Sequence, residues 1–432
     1  MKNGNDVRRL AAASLLRLEK DGRFSNIEIN TVLGRSAFSD ADRALFTRLV
    51  YGVTERRITL DLIIAQYAKN GGGNIDPETV TALRLGLYQL LYADRIPDHA
   101  AVSSAVDAAP ARSRGFVNGI LREFLRRGKR FDLPDRSDAV KNLSAAHSVS
   151  EDVCRVLIRS WGEVKTEEIL SRMSLTPAVT LRINDMVLDP GRAATILGGN
   201  RCGSAVTVPS FDGRVRRGID EGLWFAQDLA SVMCTEALGA APGDRVADVC
   251  AAPGGKTFST ALKMKNDGVI HAFDIHENKL SLIRRGAERM ELGIIRAEAR
   301  DGRDPDPELR AKCDRVLCDA PCSGLGVMAK KPELRYKTEK EIDGLPGVQS
   351  AILAGAAEYV RPGGVLVYST CTRNRAENDD VVDGFLESHP DFAPDDFELP
   401  VGKSHKGALT LFPSRGNLEL DGFFIARFVK TT

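Results

Sequence analysis

At 432 residues, with 43% hydrophobic and 28% charged side chains, the chain is expected to form two or three globular domains. No apolar run is long enough to span a membrane, and no signal peptide precedes the first helix. Eight scattered cysteines without a CxxC pair or zinc spacing argue against a disulfide framework and a metal site, and they indicate the cytoplasm.

The first part of the chain has the periodicity of helices. Helical spacing of apolar residues predicts an all-helical domain over residues 1–130, with helices at 7–19, 41–53, 59–67, 77–92, 100–108 and 115–127. Ser39 is a suitable N-cap for the second of these, and Pro77 suits the first turn of the fourth.

The charge of this helical part differs from that of the rest. Residues 1–130 carry 21 Lys and Arg against 14 Asp and Glu, whereas the remaining residues carry 39 against 45. A basic module joined to a mildly acidic one is typical of a nucleic-acid-binding domain attached to an enzyme. A solvated basic face explains the charge equally well. The cations at 122–130 and the Lys330-Lys331-Pro332 loop are candidates for contacts with an RNA backbone.

Residues 131–222 show a weaker, mixed pattern. Helices are predicted at 151–161 and 163–173, and strands at 178–183 and 205–208. This part is interpreted as a small α/β connecting domain.

From Asp244 onward, strands and helices alternate, with short connections rich in Gly, Pro and Asp. Strands are predicted at 245–250, 269–275, 294–298, 315–318 and 365–369, and helices at 257–263, 279–290 and 348–360. Such alternation predicts a parallel sheet with helices on both faces. The final run at 423–429 is expected to add an antiparallel strand.

A glycine-rich turn follows the first of these strands. The segment from Asp248 to Thr257 reads DVCAAPGGKT, a strand followed by a turn and a helix, whose first N–H groups are free to bind a ligand. A phosphate-binding loop would need glycine where Cys250 stands, and the dinucleotide pattern GxGxxG is absent. An S-adenosylmethionine site remains as the third interpretation.

An S-adenosylmethionine site needs carboxylates at successive strand ends. Asp274 lies 26 residues beyond Asp248, at the end of the second strand, where a carboxylate would bind the ribose hydroxyls. Asp301 follows the third strand and is placed to meet the adenine amino group. A helix cap or a turn explains each Asp alone better, so the prediction depends on their joint placement.

Two cysteines and a further carboxylate follow the fourth and fifth strands. Adjacent strands would bring Asp319, Cys322 and Cys371 close to the methyl donor. Carbon 5 of cytosine becomes nucleophilic when a thiolate adds to carbon 6, and the adduct must later be broken. Asp319 would bond the N3/N4 edge of the base. Methyltransferases that act on amino groups commonly carry a Pro-Pro-aromatic loop at this position, where this chain has Pro321-Cys322. The difference favours carbon over nitrogen as the methyl acceptor. The remaining thiols are interpreted as small core hydrophobes, namely Cys154, Cys202, Cys234, Cys313 and Cys318.

Taken together, the motifs resemble those of RNA 5-methylcytosine methyltransferases, and specifically the RsmB (Sun/Fmu) family of bacterial small-subunit ribosomal RNA enzymes. In the catalytic part, the resemblance lies in residues 250–257, 319–324, 369–372, 377–378 and 421–424. Residues 225–231 are similar to the family's helix at the start of that domain, and residues 180–184 to its small RNA-binding subdomain. Segments at 83–91, 96–102 and 115–118 resemble the helical RNA-binding fold of NusB.

The resemblance implies a multidomain fold and a function. We expect an all-α NusB-like domain at 1–130, a small α/β connecting RNA-binding subdomain at 131–222, and an α/β Rossmann-like class I methyltransferase domain at 223–432. The implied cofactor is S-adenosyl-L-methionine and the implied partner is small-subunit ribosomal RNA. Neither a membrane nor a metal ion is expected, and the resemblance specifies no protein partner. The implied product is a cytosine methylated at carbon 5 through a covalent adduct with carbon 6.

The resemblance also implies residue roles. Chemistry alone leaves the attacking cysteine open, because DNA cytosine methyltransferases use the one after the proline. In the RNA family the fifth-strand cysteine attacks, which implies Cys371 as nucleophile and Cys322 as release catalyst. Asp319, on the N3/N4 edge of the base, is the third catalytic candidate. The implied cofactor contacts are Cys250, Ala251, Ala252, Pro253, Gly254, Gly255, Lys256, Asp274, Asp301 and Asp319. Lys256 is alternatively placed to orient the base or Asp319, or is an exposed structural lysine.

Two departures from the family pattern and three alternatives remain. Thr372 stands where many relatives have serine, and residues 147–151 lack an expected Pro and Trp, which leaves the docking of the connecting domain open. One alternative is a 5-methylcytosine methyltransferase of transfer RNA. Another is an inactive RNA-binding assembly factor, although both cysteines and the cofactor carboxylates are intact. A DNA methyltransferase is disfavoured, since no target-recognition insert is apparent.

Overall fold

The computed structural model of the chain describes residues 3–22, 24–68, 73–173, 178–414 and 420–431. By their contacts, the residues group into two compact units. The first contains residues 1–171 with 328–338, and the second contains 172–327 with 339–432. The division into three domains at 130 and 222 therefore stays a prediction, since the observed grouping is by contacts and not by function.

The regular elements of the first unit are all helices among its described residues, as predicted for residues 1–130. Its helices are α1 (Asn3–Asp21), α2 (Ser25–Arg35), α3 (Asp40–Glu55), α4 (Arg57–Tyr67), α5 (Pro77–Tyr92), α6 (Asp98–Ala108), α7 (Arg114–Arg126), α8 (Ala139–His147) and α9 (Glu151–Met173), whose last two residues belong to the second unit. The two helices predicted at 151–161 and 163–173 form α9, which kinks at Gly162, where φ is 72°. Helices α2 and α8 were not predicted.

Local capping explains where the predicted helices begin. The Ser39 hydroxyl accepts the N–H of Asp42 at the start of α3, as predicted. At the start of α5, the Asp76 carboxylate accepts the N–H of Thr79, and Pro77 occupies the first turn. Helix α5 lies in the core of the unit. A Cβ on its Gly86 would lie 2.7 Å from Leu121 and 2.9 Å from Ala105, so α6 and α7 pack closely against it.

Residues 328–338, which follow the Cys322 loop in sequence, pack within the first unit and contain a short 3-10 turn at Pro332–Tyr336. The guanidinium of Arg335 is completely buried, donates to the carbonyl of His147 (3.0 Å) and pairs with Glu55 (3.2 Å). The Tyr336 hydroxyl accepts the N–H of Arg57 (3.2 Å) and donates to the carbonyl of Thr54 (2.5 Å). Buried polar contacts therefore fix this segment.

The second unit begins with a small antiparallel sheet of order β2-β3-β1-β4. Its elements are β1 (Val179–Ile183), α10 (Pro190–Leu197), β2 (Asn200–Cys202), β3 (Ala205–Val208), α11 (Gly213–Asp220) and β4 (Trp224–Ala226). The strands predicted at 178–183 and 205–208 are confirmed. Residues 225–231, by contrast, do not form one helix. They end β4 and begin the next helix, α12 (Leu229–Leu238), with Asp228 as its N-cap.

The rest of the second unit is a sheet of eight strands with helices on both faces. The strands are β5 (Arg245–Asp248), β6 (Val269–Asp274), β7 (Ile295–Ala299), β8 (Cys313–Asp319), β9 (Val360–Thr370), β10 (Phe392–Pro394), β13 (Ala408–Leu411) and β14 (Phe423–Lys430), and β11 (Glu398–Leu399) with β12 (Gly402–Lys403) form a separate hairpin. The helices are α13 (Gly255–Lys263), α14 (Glu277–Arg289), α15 (Glu339–Asp343), α16 (Leu345–Tyr359) and α17 (Asp379–Ser388).

The strand order places the predicted site residues at one edge. It is β10-β14-β9-β8-β5-β6-β7, parallel from β9 to β7, and β14 runs antiparallel to β9 as predicted. Helices α12, α13 and α14 cover one face of the core, and α16 and α17 cover the other. Because the parallel strands end on the same side, the loops after β5, β6, β7, β8 and β9 lie together at that edge.

Candidate active site

The turn between β5 and α13 has a backbone that requires glycine. Gly254 has a φ of 111°, and a Cβ there would lie 2.5 Å from the ring of Phe258. The N–H of Gly254 bonds the carbonyl of Ala251, and the N–H of Ala251 bonds the carbonyl of Phe273 on β6. The turn is therefore held against the sheet at the start of α13, where helical N–H groups are free.

Asp274 is the last residue of β6 and Asp301 follows β7, as predicted. The Asp274 carboxylate accepts the N–H of Ala252 (3.2 Å) and that of His276 (2.9 Å). Through Ala252 it helps to fix the glycine turn. Asp301 accepts the N–H of Arg303 (3.0 Å) and pairs with its guanidinium (2.5 Å). These hydrogen bonds lower the pKa of Asp301.

Two buried polar atoms beside the turn lack hydrogen-bond partners among the described residues. Asp248 accepts the Thr257 hydroxyl on Oδ2 (2.7 Å), but its Oδ1 has no partner. Gln227 accepts the Ser259 hydroxyl on Oε1 (2.5 Å), and its Nε2, which faces Gly255, has none. Buried groups of this kind are normally satisfied, so an acceptor and a donor remain for a polar ligand. These residues fit a polar cofactor at the turn.

The Asp248 carboxyl predicts a dependence of stability on pH. Burial raises the pKa of Asp248 to about 7 from 3.8. The folded state therefore keeps a proton that the unfolded state loses, and stability falls as the pH rises from about 4 to 7. Asp248→Asn should remove this loss, so its melting temperature relative to wild type should be higher at pH 8 than at pH 5. Equal differences at the two pH values would contradict this prediction.

Lys256, in the first turn of α13, forms a half-buried ion pair at the end of β8. Its Nζ lies 2.6 Å from Oδ2 of Asp319, and the Ser369 hydroxyl donates to Oδ1 (2.7 Å). Burial alone would lower the pKa of Lys256, but the Asp319 charge raises it above its usual value. Both oxygens of Asp319 are thus oriented, and of the alternatives for Lys256, this geometry favours the orientation of Asp319.

The two predicted thiols lie together. The Sγ atoms of Cys322 and Cys371 are 3.3 Å apart, both residues are half-buried, and they follow the adjacent strands β8 and β9. The hydrogen bond with Cys371, together with burial, raises the pKa of Cys322 well above its usual value. None of the eight cysteines, all of which lie within the described residues, forms a disulfide. Of the five interpreted as core hydrophobes, four are fully buried and Cys202 is half-buried.

Comparison with known proteins decides the family. The family "16S rRNA methyltransferase RsmB/F" matches residues 235–429, and "NusB family" matches residues 5–126. A Bacillus subtilis protein named "Probable ribosomal RNA small subunit methyltransferase B" is 35% identical, over 98% of each chain. The chain belongs to the RsmB/F family of methyltransferases. A Synechocystis protein of the same name is 33% identical, over 98% of this chain and 99% of its own.

Solved structures are similar in fold. "Crystal Structure of PH0851" has a TM-score of 0.79 at 24% identity and covers 98% of this chain and 99% of its own. A methyltransferase homologue from Pyrococcus horikoshii has a TM-score of 0.58 at 27% identity, over 68% of this chain and 99% of its own.

Membership of the RsmB/F family confirms several predictions. The all-helical NusB domain, the α/β methyltransferase domain and the dependence on S-adenosylmethionine are confirmed. The chain is a methyltransferase of small-subunit ribosomal RNA, the predicted partner.

No helix within the described ranges is both long and apolar enough to cross a membrane. In the same ranges, no cluster of His, Cys, Asp or Glu side chains is arranged to hold a metal ion.

Three polar residues of this RsmB/F site were not singled out by the sequence. Gln227 and Ser369 lie within the motifs that carry the family resemblance. Nothing in those motifs predicts that Gln227 contacts Ser259 or that Ser369 contacts Asp319. Gln349 lies inside the apolar helix α16 and is fully buried. Gln349 could have been noticed in the sequence, because it is a polar residue within an otherwise apolar helical stretch.

Three of the five basic residues at 122–130 pair with carboxylates of the protein itself. Arg126 and Arg127 both pair with Glu123, one turn back on α7. Lys129 pairs with Asp98 (2.9 Å) and donates to the carbonyl of Leu90 (2.9 Å). Their role in binding RNA stays a prediction, and an RNA backbone would have to compete with these intramolecular partners.

Proposed function

We propose that this methyltransferase modifies carbon 5 of a cytosine in small-subunit ribosomal RNA, through an adduct of Cys371 with carbon 6. The observation that carries the proposal is the pair of half-buried thiols, 3.3 Å apart, beside the oriented carboxylate of Asp319. Methylation of a nitrogen or a hydroxyl has no use for two thiols. Carbons 5 and 6 are bonded neighbours, so two thiols this close can act on both.

The state of the thiol pair favours Cys371 as the nucleophile. The hydrogen bond with Cys371, together with burial, raises the pKa of Cys322, which makes Cys322 the weaker candidate for the thiolate and supports attack by Cys371. The Lys256 ammonium adds positive charge nearby, and a thiolate on Cys371 contributes, after Asp319, to the raised pKa of Lys256. This assignment agrees with the one that the family resemblance implies.

The reaction balances with these groups. The Cys371 sulfur bonds carbon 6, and the electron pair of the ring double bond makes carbon 5 nucleophilic. S-adenosylmethionine supplies the methyl group, and its sulfonium sulfur keeps the electron pair of the bond that breaks. With Cys371 bound to carbon, Cys322 no longer has an anionic neighbour and can release its proton to water. Cys322 then takes the proton from carbon 5, the double bond re-forms, and Cys371 leaves as a thiolate.

Asp319 is the group that recognises the base. Its carboxylate, oriented by Lys256 and Ser369, accepts hydrogen bonds from N4 and from N3, which takes a proton from water as Cys371 adds to carbon 6 and returns it to water when the product leaves. The carboxylate thereby stabilises the protonated ring that addition creates. The base must be unstacked from its neighbours before a thiol reaches carbon 6. We assign the capture of RNA to the NusB-like domain and the small β1–β4 sheet. We place the reaction in the cytoplasm, where thiols stay reduced.

For the cofactor, we propose the contacts implied by the resemblance. Cys250 to Lys256 provide the turn and the helix N-terminus, Asp274 binds the ribose hydroxyls, and Asp301 meets the adenine amino group. The unpartnered Oδ1 of Asp248 and Nε2 of Gln227 support a polar ligand at this turn.

Replacing Asp274 should weaken cofactor binding more than catalysis. Asp274→Ala removes the proposed acceptor for the ribose hydroxyls and the brace on the turn, so the Kd for S-adenosylmethionine should rise about 10- to 100-fold, as measured by calorimetry. Asp304→Ala, a nearby carboxylate in the loop after β7, is the control. An unchanged Kd in Asp274→Ala would contradict the assignment.

The release of tritium from carbon 5 tests the proposed function. Small-subunit ribosomal RNA made with cytidine tritiated at carbon 5 should lose one tritium for each methyl group transferred. Methyl transfer without tritium release would contradict carbon 5 as the acceptor. Release only from transfer RNA would favour the transfer-RNA enzyme, and no transfer to any RNA would favour the inactive assembly factor.

A further inference from the structure

A completely buried carboxylate lies behind the two thiols. Glu377 belongs to the short turn Arg375–Glu377 between β9 and α17, and none of its surface is exposed. Glu377 is not one of the groups that react with the base in the proposed function. A buried carboxylate is costly unless its oxygens are bonded, so its partners show what it stabilises.

One oxygen of Glu377 binds the Cys322 loop. The N–H of Ser323 donates to Oε2 (2.8 Å), and Nε2 of Gln349 donates to the same oxygen (2.9 Å). The Gln349 amide also donates to the carbonyl of Pro321 (2.9 Å). The residues immediately before and after Cys322 are therefore both fixed, directly or through Gln349.

The other oxygen binds the Cys371 loop. Nδ2 of Asn374 donates to Oε1 (3.1 Å), and the Thr372 hydroxyl lies 3.5 Å from the same oxygen. A second bridge connects the loops directly, because the hydroxyls of Ser323 and Thr372 are 2.6 Å apart. Thr372, which stands where many relatives have serine, thus keeps the hydroxyl that this bridge requires.

We propose that Glu377 is a positioning residue that joins the two cysteine loops and sets the distance between their thiols. This inference rests on the proposed function, because only a reaction that uses both thiols in sequence depends on that distance. Glu377 touches neither thiol, so it acts through Ser323 on one side and through Asn374 and Thr372 on the other. Hydrogen bonds to a charged acceptor are roughly twice as strong as neutral ones, which suits a carboxylate to this role.

The consequence concerns the second half of the reaction. Cys371 attacks first, and its loop follows β9 directly. Cys322 must then reach carbon 5 of a base that is already bonded to Cys371. If the loops separate, attack survives better than release, and the covalent adduct accumulates.

Glu377→Gln tests this inference, because it preserves the volume but replaces one acceptor oxygen with an amide donor. In either orientation, the new amide NH2 faces hydrogen-bond donors: the Ser323 N–H in one, and the Asn374 amide and Thr372 hydroxyl in the other. The hydrogen bonds to one of the two cysteine loops are therefore lost. We expect turnover to fall about 10- to 100-fold. The fraction of enzyme bound to RNA on a denaturing gel should rise above that of wild type, while the KM for S-adenosylmethionine stays within about twofold of the wild-type value.

Glu387→Gln on α17, an exposed carboxylate in the same part of the chain, is the matched control and should behave as wild type. Gln349→Leu keeps the Glu377 charge and loosens only the Cys322 loop, so it should show a smaller change in the same direction. It also replaces Glu377→Gln if that variant does not fold. A merely structural role predicts that turnover and adduct fall together with the folded fraction, and that result would overturn the inference.

The same gel distinguishes this inference from the proposed function. If Cys322→Ala traps an adduct but both loop variants turn over as wild type does, only the role of Glu377 is wrong. If Cys322→Ala traps no adduct and tritium is not released by wild type, the proposed function itself is wrong.

Discussion

Replacing Cys371 with alanine is expected to reduce methyl transfer to ribosomal RNA by at least about a thousandfold, because it removes the thiol proposed to activate carbon 5. Cys322→Ala is expected to leave the attack intact and to block release. Labelled RNA should then remain attached to the protein on a denaturing gel. The double variant should form no adduct, since the bond to carbon 6 comes from Cys371.

Cys313→Ala is the matched control for this pair. Cys313 is fully buried at the start of β8, the strand that leads to Cys322, and it should affect stability without affecting either step. The reverse pattern would contradict the assignment, with loss of activity in Cys322→Ala and an adduct in Cys371→Ala. It would make the active site similar to that of the DNA cytosine enzymes.

The Lys256 and Asp319 pair is expected to give the second largest effect. Asp319→Asn keeps the shape but loses the charge that stabilises the ring protonated at N3 after addition, so turnover should fall about 100- to 1,000-fold. Lys256→Met leaves Asp319 without its cation and should cost a similar factor. Both effects should appear in kcat for the RNA, with a smaller change in the KM for S-adenosylmethionine.

Lys263→Met provides the control on the same helix. Lys263 ends α13 and pairs with Glu236 at the surface, so its loss removes an ion pair without touching Asp319. Activity within about twofold of wild type is expected for it. If Lys256→Met were equally active, the orientation of Asp319 by Lys256 would be irrelevant to the reaction.

Helices with a strong apolar period could be predicted from the sequence. Helix α5 begins and ends where the pattern places it, because Asp76 and Pro77 define its start and buried leucines line its length. Helix α2 was missed, since two of its three inward positions are Ser25 and Glu28. Glu28 is buried there because it pairs with Arg17 on α1 (2.5 Å), a contact that no local pattern shows.

The residues of the site could be predicted because parallel strands end on the same side. That rule alone brings Asp319, Cys322 and Cys371 together, and β8 and β9 are indeed neighbours. The contacts that orient them could not be predicted. Lys256 with Asp319, and Glu377 with Ser323, are pairs separated by more than 50 residues, and their geometry depends on the packed sheet.

The departure at residues 147–151 now has a structural description. Ser148, the C-cap of α8, lies in the left-handed region (φ 54°), accepts the N–H of Ile58 (2.9 Å) and lies 3.2 Å from the Tyr336 hydroxyl. Ser150 donates its hydroxyl to the carbonyl of Lys337 (2.8 Å). These serines fix the segment at 328–338, part of which was predicted to contact RNA, through hydrogen bonds that Pro and Trp would not make.

The most direct test of the covalent mechanism uses small-subunit ribosomal RNA containing 5-fluorocytidine. Fluorine on carbon 5 cannot leave as a proton, so the wild-type enzyme should transfer one methyl group and stay attached to the base. Digestion with nuclease and protease, followed by mass spectrometry, should find a methylated fluorocytidine nucleotide on the peptide that contains Cys371. Attachment through Cys322, or methyl transfer with no attached nucleotide, would contradict the mechanism proposed for this site.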